Sequence, residues 1–213
     1  MTLTIGLLIA LVVPIAGAIM SIRTGKYFYN LVVTGACAVL LMLCPDPMKY
    51  LPLILFLVIS IVGDYFMGHQ QHSHSYYLFG IIGFFLAHVC LVWYTFDKVS
   101  VEPWLLVVGG LLAVGYGVYL AIRILPDVDN NVMRVALCAY ASVSVLSVTM
   151  MIGTPAPLIT RVLMSLGTAS ILFSDTIISE CDFAGNEKLS HLIMPTYFAC
   201  HILIVAGALA ALL

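Results

Sequence analysis

Long apolar runs, separated by short polar connections, follow one another along the whole chain. A helix needs about 20 apolar residues to cross the hydrocarbon core of a bilayer, so each run is a candidate transmembrane helix. The pattern predicts eight spans in one bundle: Thr2–Ile22, Phe28–Cys44, Leu51–Met67, Tyr76–Phe96, Pro103–Ile122, Asn131–Ile152, Leu158–Ser179 and Leu189–Leu213. No connection is long enough for a second domain. We therefore expect residues 1–213 to form a single all-α, multi-pass transmembrane domain.

The composition supports a membrane environment. Hydrophobic residues make up 63% of the chain and charged residues only 8%, against roughly 25% charged in an average soluble domain. The formal charge of −2, with no basic face, argues against a nucleic-acid partner. The lipid bilayer is the expected partner, in the inner membrane of a bacterium or the endoplasmic reticulum of a eukaryote.

Lysine and arginine in the short loops give a weak orientation signal. The odd-numbered loops carry five of these cations and the even-numbered loops three. The first set is Arg23, Lys26, Arg123, Arg134 and Lys188, and the second is Lys49, Lys98 and Arg161. This bias predicts that the odd-numbered loops, where the third and seventh spans end, lie at the cytoplasmic face.

Four ionisable residues stand inside predicted spans: Asp64, His88, Asp175 and His201. Such residues are costly in lipid and mark functional sites by default. Asp64 lies late in the third span and Asp175 late in the seventh. These two spans run parallel, because an even number of helices separates their starting points. The two carboxylates are therefore expected at similar depth near one membrane face.

The order of these residues also suggests an internal repeat. His88 follows Asp64 by 88 − 64 = 24 residues, and His201 follows Asp175 by 201 − 175 = 26 residues. Four helices followed by four would form a parallel repeat, with a site expected at the interface between the halves. The flanking residues match poorly, so the repeat remains one interpretation of the spacing.

Histidines also cluster in the loop from His69 to His74. A metal needs ligands that converge from a fixed backbone, which a short loop seldom provides. We therefore interpret this segment as a solvated loop, and we predict neither a metal nor another cofactor for the protein.

Two blocks of residues stand out between about residues 49 and 207. The first block contains Gly63-Asp64, Gly80, Phe84-Phe85, His88 and Tyr94-Thr95-Phe96; the second contains Gly167, Phe173-Ser174-Asp175, Phe183 and Thr196-Tyr197-Phe198-Ala199. In their order and spacing, the two blocks resemble the YhhN-like lysoplasmalogenase family of membrane proteins. Tyr140 matches a tyrosine of the sixth span. His201 departs from the family pattern, since it stands where a glutamine is usual.

The resemblance implies hydrolysis of the vinyl ether bond of a lysoplasmalogen, which is a lysophospholipid substrate. The residue types suit this reaction, because a general acid and an ionised group are both needed and two carboxyls can divide these roles. Asp64 and Asp175 are the predicted catalytic pair. The predicted supporting or substrate-binding residues are His88, Tyr140, Ser174, Tyr197 and His201.

Three other readings fit the same residues. A small-solute or proton-coupled transporter would use the buried aspartates as a relay or binding site. A metal-dependent hydrolase would use the two aspartates and the two span histidines as ligands. In a protein without catalytic activity, these side chains would only bond helix to helix.

Overall fold

The computed structural model describes residues 2–213, which form nine α-helices and no strand. The helices are α1 (Thr2–Ala10), α2 (Val12–Thr24), α3 (Phe28–Met42), α4 (Leu51–Gly68), α5 (His74–Phe96), α6 (Pro103–Tyr119), α7 (Asn131–Ile152), α8 (Leu158–Asp182) and α9 (Ile193–Ala210). The predicted all-α membrane bundle is confirmed.

Over the described residues, seven helical segments are long and apolar enough to cross a bilayer. The first of them joins α1 and α2 across a break at Leu11. Pro14 explains the break, because its ring lacks an N–H and clashes with the carbonyl four residues earlier, at Ala10. The second predicted span forms α3, whose 15 residues extend for about 22 Å. This length falls short of the roughly 30 Å hydrocarbon core.

Two helix pairs pack most extensively, α4 with α5 and α8 with α9. Glycine allows the close approach in both. A Cβ added to Gly83 on α5 would lie 3.1 Å from Cα of Gly63, and one added to Gly167 on α8 would lie 3.1 Å from the Cys200 carbonyl. Small residues at such interfaces let helix backbones meet in a membrane. The contact between Gly83 and Gly63 holds α4 against α5 at the residue that precedes Asp64.

The pattern of neighbouring helices recurs between the two halves of the chain. The contacts of α2 with α3, α3 with α4, and α4 with α5 correspond to those of α6 with α7, α7 with α8, and α8 with α9. The contact of α3 with α9 corresponds to that of α7 with α5. The correspondence stops at α6, which packs little against α5, whereas α2 packs against α9. This arrangement supports the four-plus-four interpretation.

Polar contacts fasten α6 to the end of α8. The Glu180 carboxylate accepts hydrogen bonds from Tyr119 at 2.6 Å, Arg123 at 3.2 Å and Asn186 at 2.9 Å. Arg123 follows α6 in a short π-helical turn over Leu120–Ile124. The end of α6 is thus tied to the membrane face at which α4 and α8 end.

Candidate functional site

One cavity of about 260 Å³ is lined by both intramembrane aspartates. Asp64 enters from α4 and Asp175 from α8, and residues of α3, α5, α7 and α9 complete the wall. Span parity predicted that the two carboxylates share a depth, and the structure brings them to one cavity. Tyr140, Ser174 and Tyr197, three of the predicted supporting residues, also line it.

The Asp64 carboxylate has a tyrosine as its partner. Tyr197 on α9 donates a hydrogen bond from its hydroxyl to Oδ2 of Asp64 at 2.8 Å. The Tyr197 ring lies between two other rings, with centroid distances of 6.0 Å to Phe84 and 4.5 Å to His201. These edge-on contacts hold the hydroxyl in place against the carboxylate.

Asp175 has two partners. Tyr140 on α7 donates its hydroxyl to Oδ2 of Asp175 at 2.6 Å. His88 on α5 places Nε2 at 3.7 Å from the same oxygen. The rings of His88 and Tyr140 meet edge to face, 5.2 Å between centroids, so the three side chains form one cluster.

The other nitrogen of His88 has a defined role. Nδ1 lies 2.9 Å from the Phe84 carbonyl one turn earlier. A carbonyl can only accept, so Nδ1 must carry the proton of this bond. Nε2 is buried and has no hydrogen-bond partner among the described residues. It therefore presents either a lone pair or a second proton to Asp175.

Ser174 connects the cavity wall to the start of α9. Its hydroxyl donates to the Ile193 carbonyl at 3.1 Å. This bond uses the hydroxyl proton for helix packing and leaves the oxygen as an acceptor toward the cavity.

His201 lies behind the site rather than in the cavity wall described above. Its Nδ1 lies 3.5 Å from the Thr34 hydroxyl on α3, and its ring packs against Phe56 at 5.4 Å. Nε2 is buried without a hydrogen-bond partner in the described chain. The link from His201 to the carboxylates is its ring contact with Tyr197.

Sequence reasoning missed Tyr27 and Asn30, which line the cavity from the start of α3. The Tyr27 hydroxyl oxygen is buried and has no partner among the described residues. Burial and the nearby Asp64 carboxylate raise the pKa of Tyr27 to about 12, so its hydroxyl stays a donor at physiological pH. Span parity could have located it, because the first loop lies at the face where the third and seventh spans end.

A more polar depression of about 490 Å³ adjoins the cavity at Tyr77, which lines both. The Tyr77 hydroxyl donates to Asp182 at 3.0 Å. Asp127 and Asp129 lie in the same depression. Tyr77 therefore separates an apolar, carboxylate-bearing cavity from an acidic surface.

Side chains suited to a metal do not converge in the part of the chain that the structure describes, where no group of three or more His, Cys, Asp or Glu is found. Of the four proposed ligands, His88 and Asp175 lie together, whereas Asp64 bonds Tyr197 and His201 contacts Thr34. In the histidine loop, the Nδ1–H of His69 donates to the Tyr65 carbonyl at 2.7 Å. The side chains of His72 and His74 lie outside the described residues.

The fold and the site together define a multi-pass helical membrane protein with a pair of carboxylates in an intramembrane cavity. Residues 25–208 match the model of the YhhN family, and the chain belongs to that family. The match begins earlier than residue 49 and includes Tyr27 and Asn30. Neither a curated protein nor a solved structure shows significant similarity to the chain.

Proposed function

We propose that this protein is a lysoplasmalogenase-like hydrolase that cleaves the vinyl ether bond of lysoplasmalogens within the membrane. One observation carries the proposal: the carboxyls of Asp64 and Asp175 line the same cavity, each bonded by a tyrosine hydroxyl. Two carboxyls of this kind can divide the roles of acid and base, as they do in glycoside hydrolysis, where a related cation forms.

The reaction needs one neutral and one ionised carboxyl. The acid breaks its O–H bond and protonates the outer alkene carbon, whose π electrons form the new C–H bond. The ether oxygen shares the positive charge as an oxocarbenium ion. Water attacks the inner carbon, and the ionised carboxylate accepts the water proton. The hemiacetal then collapses to an aldehyde as the C–O bond to glycerol breaks. The carboxylate left by the acid accepts the hemiacetal hydroxyl proton, and the other carboxyl, protonated by the water, donates its proton to the leaving oxygen, so both carboxyls return to their starting states.

The surroundings of the pair suit this chemistry. The described lining includes neither lysine nor arginine, so the cation formed in the reaction would face two carboxylates, the one ionised at the start and the one that has just given up its proton. Apolar walls strengthen that attraction because they exclude water. The unpartnered Tyr27 hydroxyl and the acceptor oxygen of Ser174 are available to the glycerol oxygens.

The size of the cavity favours a single-chain substrate with its reactive part inserted. Pockets that enclose a whole drug-sized ligand measure about 300–1,000 Å³, and this cavity measures about 260 Å³. The glycerol, the vinyl ether and the first carbons would occupy it, while the rest of the chain stays among the helices or in lipid. The headgroup would lie toward the depression beyond Tyr77.

The test is aldehyde release by detergent-purified protein from choline and ethanolamine lysoplasmalogens. The control is a lysophospholipid with the same headgroup and an ester-linked chain, from which no aldehyde can form. A chelator arm shows whether a divalent ion is required; activity lost on chelation and restored by one ion would favour the metal-dependent reading. Absence of aldehyde release in a folded sample would leave two interpretations, a transporter and a protein without catalytic activity.

Heavy water tests the proton transfer itself. If a carboxyl protonates the alkene carbon, the reaction should slow and should leave deuterium on the carbon next to the aldehyde carbonyl. The product is trapped as it forms and compared with unlabelled aldehyde held in the same buffer, because free aldehyde exchanges. Trapped product without excess deuterium at that carbon would exclude carbon protonation.

A further inference from the structure

We propose that His88 and Asp175 share a single proton, so that Asp175 is the carboxyl that protonates the vinyl ether and Asp64 is the ionised partner. His88 is then a positioning residue that acts through Asp175. This assignment of roles rests on the proposed function, whereas the shared proton is a property of the resting protein.

The hydrogen bond of His88 Nδ1 determines what its other ring nitrogen presents to Asp175. Nδ1 of His88 donates to the Phe84 carbonyl at 2.9 Å, so a neutral His88 has a bare lone pair on Nε2. That nitrogen faces Oδ2 of Asp175 at 3.7 Å, which is longer than a formed hydrogen bond, and Nε2 has no hydrogen-bond partner among the described residues. Two bare acceptors would then oppose each other in a buried site, which is unfavourable.

The number of protons shared by His88 and Asp175 determines the charge left in the buried site. With no proton between them, a lone pair faces a carboxylate; with two, an imidazolium stands uncompensated in an apolar cavity. One proton avoids both costs. In a medium of low dielectric, the neutral arrangement is preferred, with the Asp175 O–H directed at Nε2, because it separates no charge.

The two carboxyls differ in their neighbours. Each accepts a tyrosine hydroxyl, from Tyr140 at 2.6 Å and from Tyr197 at 2.8 Å. Only Asp175 also faces a nitrogen base among the described residues. A carboxyl whose ionisation would set a negative charge against a bare lone pair keeps its proton more strongly than a carboxyl without such a neighbour. Asp64 therefore ionises first, and Asp175 remains the acid.

Other groups around Asp175 do not disturb this count. Electrostatic interaction links it to Tyr116 on α6, Tyr140 on α7, and Tyr197 and Cys200 on α9. Phenols and thiols are uncharged near neutral pH. The single nitrogen base among these neighbours is His88.

The two span histidines have different surroundings. His201 follows Asp175 along the chain much as His88 follows Asp64, yet its Nδ1 meets the Thr34 hydroxyl at 3.5 Å. Among the described residues, Asp175 therefore has a basic neighbour and Asp64 has none.

Infrared spectroscopy of the purified protein tests the shared proton without any substrate. The C=O stretch of a protonated carboxyl should be present in the wild type, lost in Asp175→Asn and kept in Asp64→Asn. Loss in Asp64→Asn alone would reverse the assignment, and an unchanged band in both variants would refute it. These outcomes do not depend on aldehyde release, so they remain readable if the hydrolase proposal fails.

A second pair of variants covers the case in which Asp175→Asn does not fold. In His88→Asn, the amide takes the place of Nδ1 and nothing replaces Nε2; in His88→Gln, the amide reaches toward Asp175. The carboxyl band should move to higher frequency in His88→Asn and return toward the wild-type position in His88→Gln. No movement in His88→Asn would contradict the shared proton.

Activity supplies an independent readout of the positioning role. In His88→Asn, the alkaline limb of the pH profile should move about one pH unit lower, because the proton of Asp175 is no longer shared. At a pH on that limb, turnover should then fall about tenfold. His88→Gln should recover part of this loss. A fall in turnover with an unmoved profile would indicate a purely structural role.

Discussion

His88 and His201 invite comparison because each is completely buried and each follows an intramembrane aspartate by about one helix. In the described part of the chain, Nε2 of each ring has no hydrogen-bond partner. Their surroundings differ. His88 faces the carboxylate of Asp175 at 3.7 Å, whereas His201 touches Thr34 and the back of Tyr197. Two sites that match in sequence order can thus differ in proton content, and that difference can separate an acid from a base.

The largest expected effect comes from the carboxyls themselves. Asp64→Asn and Asp175→Asn should each lower aldehyde release at least about 100-fold, within the usual range for a positioned acid or base. Asp97→Asn, at the opposite end of the bundle, is the control and should keep full activity. Near wild-type turnover in either site variant would remove that carboxyl from the reaction.

The two tyrosines come next, and their effects should be unequal. Tyr197→Phe removes a donor from the ionised carboxylate, a bond worth about 1.5–3 kcal/mol, so kcat/KM should fall tenfold or more. Tyr140→Phe removes a bond to a neutral carboxyl, worth about 1 kcal/mol, and should cost a few-fold. Tyr65→Phe, an exposed tyrosine next to Asp64, is the matched control. The reverse order of losses would exchange the roles of Asp64 and Asp175.

The smallest effect is expected at His201. His201→Gln restores the residue usual in the family, and interhelical hydrogen bonds contribute about 0.6 kcal/mol on average. Turnover should therefore change by less than about threefold, with an unmoved pH profile. A shift as large as that of His88→Asn would mean that His201 also controls a proton, and the distinction between the two histidines would fail.

Several of these features could be predicted from residue order alone. Parity of the spans placed Asp64 and Asp175 at one depth, and they do line one cavity. Hydropathy predicted the helices, although it ended the second run at Cys44 and α3 ends at Met42. The break at Leu11 is visible afterwards in Pro14, which hydropathy alone ignores.

The environment of each histidine could not be predicted. Which ring nitrogen faces Asp175 depends on the Phe84 carbonyl and on how closely α5 approaches α7 and α8, and neither follows from spacing. For Tyr27, span parity gives the membrane face, but nothing in its local sequence shows that its hydroxyl is buried beside Asp64. Helix periodicity gives a face, but only packing determines what that face meets.

The short α3 makes bilayer thickness part of the structure of the site. Its 15 residues cover about 22 Å, so wherever α3 meets lipid, the bilayer either thins by several ångströms or accepts polar ends within the hydrocarbon. Such hydrophobic mismatch costs fractions of a kcal/mol per ångström, and the cavity is lined by Asn30 of α3 and by Tyr27 directly before it. A thinner membrane reduces this mismatch, and a thicker membrane increases the strain on α3, the helix that bounds the Asp64 side of the cavity.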